Sequence, residues 1–73
     1  MTSTREFHLD GQEFILLQSL LQVGGVCDTG AEAKMLIVGG DVTVDGEIET
    51  RRGRKIRAGQ RVSCAGMNIE VVG

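Results

Sequence analysis

The chain has 73 residues, a formal net charge of −2, and 41% hydrophobic but only 3% aromatic residues. This length allows one domain with a modest core, expected here to span residues 1–73, and argues against a deep catalytic cavity. No apolar run exceeds four residues, far too few to cross a bilayer, and the chain does not open on the basic and apolar pattern of a secretory signal. We therefore expect a cytoplasmic protein without a membrane partner.

A capping box marks the start of the first predicted helix. Asp10 is followed three residues later by Glu13, the spacing at which two side chains satisfy the backbone amides of a helix start. Apolar residues then recur at helical spacing until the glycine pair at 24–25, which ends the helix. The stripe consists of Phe14, Leu16, Leu17, Leu20, Leu21 and Val23. Phe14 is therefore expected to be buried.

A second capping box, Thr29 followed by Glu32, predicts a shorter helix that ends at the glycine pair 39–40. Its apolar face is supplied by Ala33, Leu36 and Ile37. The free amides of a helix start carry partial positive charge, and a glycine there lets a ligand approach the backbone. Thr29, Gly30 and, one turn further, Lys34 are therefore candidate phosphate contacts, the alternative being simply a well-capped helix.

From residue 42 onward the apolar residues recur at every second position, the period of half-buried strands. Val42 and Val44 precede Asp45-Gly46, a tight-turn signal that predicts a hairpin returning through residues 47–49. The other predicted strands are an edge strand at 7–9, a brief strand at 55–57, and a last hairpin with Val62, Cys64, Ile69 and Val71 facing inward. The expected fold class is α+β, with two short helices packed on a small, mainly antiparallel β-sheet.

The basic residues are concentrated in one segment. Six of the eight lie between positions 51 and 61, where no acidic residue occurs, namely Arg51, Arg52, Arg54, Lys55, Arg57 and Arg61. The rest of the chain has two basic residues against all ten acidic ones. This asymmetry predicts a polyanion partner, the alternative being an ordinary solvated run of charge. The segment 51–55, called the basic loop below, can form one surface with helix two if it folds beside that helix start.

The sequence shows no catalytic or metal-binding pattern. Cys27, Cys64 and His8 are isolated from one another, which predicts two buried thiols and a strand-surface histidine rather than a zinc site or a redox pair. No nucleophile is paired with a base in a recognisable spacing. We therefore expect a non-enzymatic protein with no metal and no cofactor.

The scarcity of aromatic residues narrows the expected polyanion. Phe7 and Phe14 are the only two, and modules that grip single-stranded bases generally stack them on aromatic faces. The predicted ligand is therefore structured RNA, recognised through its backbone and shape.

Three segments together resemble the S4 RNA-binding domain, named after ribosomal small-subunit protein S4. They are Ala-Glu-Ala-Lys-Met-Leu-Ile at 31–37, Val-Thr-Val-Asp-Gly at 42–46 and Arg-Arg-Gly-Arg-Lys-Ile at 51–56. The chain length and the loop are similar to free-standing family members of the YbcJ/YaaA type. The resemblance implies an αL RNA-binding motif, with its core at about residues 13–64, in which helix two and the basic loop face structured RNA, often ribosomal or transfer RNA. By position, Lys34 matches a basic helix residue, and Arg51, Arg52, Arg54 and Lys55 match the basic loop.

Two other functions fit parts of the sequence. A protein-interaction module could use the basic loop on an acidic partner. A sulfur carrier of the β-grasp type shares the Val-x-Val-Asp-Gly hairpin and a C-terminal glycine, but carriers of this type need a terminal Gly-Gly, and Gly73 follows Val72. The main expectation is a monomeric RNA-binding protein.

Overall fold

A computed structural model describes residues 3–73 of the chain, so the first two residues of the predicted domain lie outside the described part. Within this range, two strands are followed by two helices and then by five more strands. Their bounds are β1 Ser3–His8, β2 Ile15–Leu16, α1 Leu17–Val23, α2 Gly30–Val38, β3 Val42–Val44, β4 Glu47–Ile48, β5 Lys55–Ile56, β6 Arg61–Cys64 and β7 Met67–Val72.

Five of the strands form a mixed sheet in the order β1-β7-β6-β3-β4. Every pairing in it is antiparallel except that of β1 with β7, which is parallel. The strands β2 and β5 form a separate two-stranded ladder. Two helices on a mostly antiparallel sheet confirm the predicted α+β class, and the predicted edge strand is present as β1.

The hydrophobic core lies between the helices and the sheet. Its largest fully buried side chains are Leu17, Leu20, Leu21, Ile37, Val42, Ile56, Val62, Ile69 and Val71. The strand residues among them are the ones that the period of two predicts to face inward. Cys27 and Cys64 are buried free thiols, as expected, and burial raises the pKa of both. His8 is exposed on its strand.

Both hairpins turn through two residues in the left-handed region. Asp45 and Gly46 have φ of 51° and 87°, and Ala65 and Gly66 have φ of 53° and 79°. This backbone twist matches that of the flanking strands, which is why two-residue hairpin loops favour Asp-Gly. The Asp45-Gly46 signal in the sequence therefore correctly located the first hairpin.

The predicted start of the first helix is wrong. Asp10 has a φ of 52° and lies in a turn after β1, while the helix begins at Leu17 without a side-chain cap. The intervening Ile15 pairs with Ile56 in the β2–β5 ladder. A strand thus replaces the first turn of the expected helix, because the buried face of Ile56 offers a partner that local sequence does not reveal.

Gly24 is the tightest point of helix-to-sheet packing. A Cβ atom there would lie 2.5 Å from Ile69 Cδ1 and 2.9 Å from the carbonyl oxygen of Leu20. We expect Gly24→Ala to lower the free energy of unfolding by about 1–3 kcal/mol, because backbone and core side chains must shift. Urea denaturation measures this loss. Gly53→Ala is the control, since a Cβ at Gly53 meets nothing within 4 Å, and an equal loss there would contradict the packing argument.

Candidate nucleic-acid interface

The basic loop is anchored on Glu49, a buried carboxylate at the end of the first hairpin. Arg51 donates its backbone amide (3.0 Å) and Nε (3.1 Å) to Oε2 of Glu49, and Nη2 (3.0 Å) to Oε1. Arg54 donates Nη1 to the same Oε1 at 2.6 Å. These hydrogen bonds, first from Arg51 and then from Arg54, hold the pKa of Glu49 well below its ordinary range. The carboxylate is therefore ionised and fixes two of the loop arginines.

The loop backbone is held from its other side by α1. The amides of Leu17 and Gln18 donate to the carbonyls of Arg54 (2.9 Å) and Arg52 (3.2 Å). The first amides of a helix have no partner within the helix. Two carbonyls of the basic loop accept hydrogen bonds from these amides, in place of the side-chain cap that α1 lacks. The loop conformation is thus fixed at two points, by Glu49 and by the start of α1.

The cations of the loop differ in how much charge they can offer a ligand. The Arg54 side chain is 34% exposed and lies against Glu49, whereas the Arg51 side chain remains 74% exposed despite its ion pair. Arg52 and Lys55 are exposed, and neither forms an ion pair within residues 3–73. A shallow depression in the loop surface is lined by Arg51, Gly53, Arg54 and Lys55. Arg52 and Lys55 are therefore the loop cations most available to phosphate.

Phe14 is not buried on a helix stripe, contrary to the sequence prediction. It precedes β2 and is half-buried. Lys55 Nζ lies 4.9 Å from the centroid of its ring, and Arg57 Cζ lies 5.7 Å from it. Both distances are within the range of a cation–π contact. The ring thus joins the basic surface instead of the core.

The start of α2 has the predicted cap. Thr29 Oγ1 accepts the amide of Glu32 at 3.2 Å, and Gly30 begins the helix with its backbone exposed. Lys34 is exposed one turn later. The carboxylate of Glu32 lies in this first turn and lowers the positive potential there. The helix start by itself is therefore a weaker phosphate site than the basic loop.

The structure places the two predicted halves of the site at opposite ends of α1. The basic loop contacts the first turn of α1, whereas Gly30 faces Gln22 near its last turn. The seven residues of α1 span about 10 Å at ~1.5 Å per residue. A ligand that contacts both halves must therefore extend along α1.

Arg61 lies apart from the basic loop. It forms an ion pair with Glu70 across the β6–β7 pairing, and its backbone amide donates to Asp45 Oδ1 at 2.9 Å. A surface depression lies here, and its lining includes both carboxylates and the Arg61 side chain. Such a surface offers a phosphate little net attraction, so we expect Arg61 to contribute less to binding than the basic loop.

Residues 3–73 contain neither a candidate metal site nor a membrane-spanning helix. No group of three or more His, Cys, Asp or Glu side chains is arranged to hold a metal ion there. In the same range, no helix has the length and apolar character needed to cross a membrane.

The class of the protein follows from its similarity to a known domain family. The family model described as the S4 domain matches residues 7–72, so the chain belongs to the S4 domain family. Among individual proteins it is similar to YbcJ of Escherichia coli (strain K12), provisionally named an RNA-binding protein, with 46% identity over 66 residues that cover 90% of this chain and 94% of YbcJ. YbcJ of Shigella flexneri, an uncharacterized protein, matches with the same identity and coverage.

A solved structure gives the same relationship. The solution structure of YbcJ from E. coli superimposes with a TM-score of 0.73 at 44% identity, and the match covers 93% of this chain and 86% of that one. That structure is described as revealing an αL motif involved in RNA binding. The predicted resemblance to free-standing S4 proteins of the YbcJ type is thus confirmed.

Proposed function

We propose that this protein binds structured RNA, for example ribosomal or transfer RNA, as a non-enzymatic monomer in the cytoplasm. The observation that carries the proposal is the basic loop, which presents exposed cations on a backbone fixed by Glu49 and by the start of α1. Membership of the S4 family and the RNA binding attributed to YbcJ support a binding role rather than catalysis. Residues 1–73 would act as one domain.

The contacts proposed are mainly to phosphate groups. Arg52 and Lys55 would contact the backbone directly, Arg51 would use its exposed donors, and Lys34 would reach the same strand from α2. A loop whose backbone is fixed in advance loses little backbone entropy on binding, which favours a ligand whose phosphates are also fixed, as in a folded RNA. Arg57 would join this set beside Lys55, while Thr29 and Gly30 would contribute backbone contacts at the margin.

The salt dependence of binding tests this proposal. With on the order of 3 to 5 phosphates neutralised, the slope of log K against log salt is expected to be roughly −2 to −4. Fluorescence anisotropy with a labelled transfer RNA and a labelled ribosomal RNA hairpin, from 50 to 300 mM KCl, measures it, with a single-stranded homopolymer as the comparison. A slope near zero would contradict an electrostatic contact with the backbone.

Purification of the tagged protein from cells addresses the competing protein-binding hypothesis. Under the proposal, nucleic acid co-purifies with the protein and is removed by ribonuclease. Co-purification of an acidic protein that survives ribonuclease treatment, together with no retained RNA, would favour the protein-interaction module instead.

A further inference from the structure

The β2–β5 ladder has an outer face that is determined by strand geometry. Ile15 pairs with Ile56, and both are buried, so their side chains point inward. Because successive side chains of a strand alternate between faces, Phe14 and Leu16 on one strand and Lys55 and Arg57 on the other must point outward. Extending the register by one residue places Phe14 opposite Arg57, with Lys55 on the diagonal.

On this outer face, two cations contact the same aromatic ring. Lys55 Nζ and Arg57 Cζ lie 4.9 and 5.7 Å from the centroid of Phe14. The ion pairs found within residues 3–73 involve neither of these cations. The backbone amide of Arg57 donates to Gln60 Oε1 at 2.8 Å, which fixes where its side chain begins. Two like charges are therefore held together, and the negative face of the ring offsets part of their repulsion.

We propose that Phe14, Lys55 and Arg57 form a phosphate-binding subsite, distinct from the arginines on Glu49, that takes a phosphate group of the RNA backbone. This inference rests on the proposed function. The two cations lie over the Phe14 ring, so the RNA would contact an ammonium and a guanidinium rather than an aromatic face. Their donors suit the oxygens of one phosphate or of two consecutive phosphates. Phe14 is a positioning residue here, acting through Lys55 and Arg57.

A double-mutant cycle tests the subsite. The variants are Phe14→Leu, Lys55→Gln with Arg57→Gln, and all three changes together, each measured for affinity to the same transfer RNA and ribosomal RNA hairpin. We expect Phe14→Leu to weaken binding about two- to fivefold, the contribution of a cation–π contact at an exposed site. In the variant that lacks both cations, Phe14→Leu should have no further effect on affinity, since the role of the ring is to hold Lys55 and Arg57 in position. Phe14→Tyr keeps the ring and should bind like the unchanged chain.

Phe7→Leu is the matched control, because Phe7 is the other phenylalanine and is also half-buried, but lies on β1. It should alter stability without altering affinity. The proton–nitrogen correlation spectrum of each variant checks that it is folded, and Phe14→Met provides the same comparison if Phe14→Leu is not.

The outcomes separate the two proposals. Unchanged affinity in Phe14→Leu and Phe14→Met would overturn the subsite while leaving RNA binding intact. An equal loss with and without the two cations would also overturn it, because the ring would then contact the RNA itself. If the unchanged chain binds neither RNA, the proposed function fails, and the subsite fails with it.

Discussion

Replacing Arg52 and Lys55 by glutamine is expected to weaken binding to structured RNA about tenfold and to make the salt slope less steep by roughly 1.5 to 2. Both side chains are exposed and free of carboxylate partners within the described part of the chain. An exposed ionic contact contributes roughly 0.7 kcal/mol, and two of them correspond to about a tenfold change in affinity. The slope becomes less steep by close to one for each phosphate that the variant no longer neutralises. Anisotropy titrations at four salt concentrations give both quantities.

Arg61→Gln is the matched control for Arg52→Gln. Each change removes one guanidinium, but Arg61 is paired with Glu70 on the sheet and lies apart from the basic loop. We expect the RNA affinity of Arg61→Gln to stay within twofold of that of the unchanged chain. Its salt slope should stay within about 0.3 of the original value. Equal effects of the two single changes would mean that the net charge of the chain, and not the basic loop, governs binding.

Changing all the loop cations at once is a poorer experiment. Arg51 and Arg54 supply the hydrogen bonds to the buried Glu49 carboxylate. Their removal leaves that carboxylate with the backbone amide of residue 51 as a hydrogen-bond donor but without a positive partner, which destabilises the loop in addition to removing charge. A loss of affinity in such a variant could not be assigned to phosphate contacts. The pair Arg52 and Lys55 avoids this ambiguity.

The parts of the fold that were correctly predicted are those specified by neighbouring residues. The cap that Thr29 forms on the Glu32 amide and the Asp45-Gly46 turn are each complete within four residues, and both are present in the structure. The alternating buried residues of β6 and β7 follow equally from their own sequence.

The failures share a different property: each depends on a partner distant in the chain. The first helix begins at Leu17 because its amides bond to carbonyls of the basic loop, and Phe14 faces outward because Ile15 pairs with Ile56. No local signal contains these partners.

The role of Glu49 was partly visible in the sequence. It precedes two of the loop arginines by two and five residues, but it lies outside the predicted charged segment, which begins at Arg51. Its burial follows the reversal of the hairpin, since its amide donates to the carbonyl of Val42 at 3.0 Å. A carboxylate that enters the core edge beside two arginines is a recognisable anchor only after the hairpin register is known. The uneven charge distribution thus identified the cations of the basic loop but not the carboxylate that pairs with two of them.

Glu49→Gln is expected to release the basic loop while leaving its cations in place. The ratio of affinity for structured RNA to affinity for a single-stranded homopolymer should fall at least fivefold, because cations no longer fixed must be ordered on binding. The salt slope should become steeper by roughly 1 to 2, because Arg51 and Arg54 become available to additional phosphates. Hydrogen exchange of the Arg51 amide, which Glu49 accepts at 3.0 Å, should accelerate at least tenfold.

The same anchor makes stability depend on pH. Arg51 and Arg54 hold the pKa of Glu49 below its value in the unfolded chain. The stabilisation is therefore complete above the unfolded pKa of about 4.3 and is lost progressively as pH falls toward the folded pKa. The difference in Tm between the unchanged chain and Glu49→Gln should be constant from pH 7 to about pH 5.5 and shrink between about pH 4.5 and pH 3.

Glu47→Gln is the control that distinguishes anchoring from net charge. Glu47 is exposed on β4, only two residues away, and the change alters the net charge by the same amount. Because Glu47→Gln frees no arginine, it should raise the affinity for structured RNA and for the single-stranded homopolymer slightly and equally. The ratio of the two affinities and the hydrogen exchange of the Arg51 amide should therefore stay unchanged. If Glu47→Gln and Glu49→Gln behave alike, the loop is not held by Glu49. If only Glu49→Gln lowers the ratio, the buried carboxylate is what gives the arginines their preference for folded RNA.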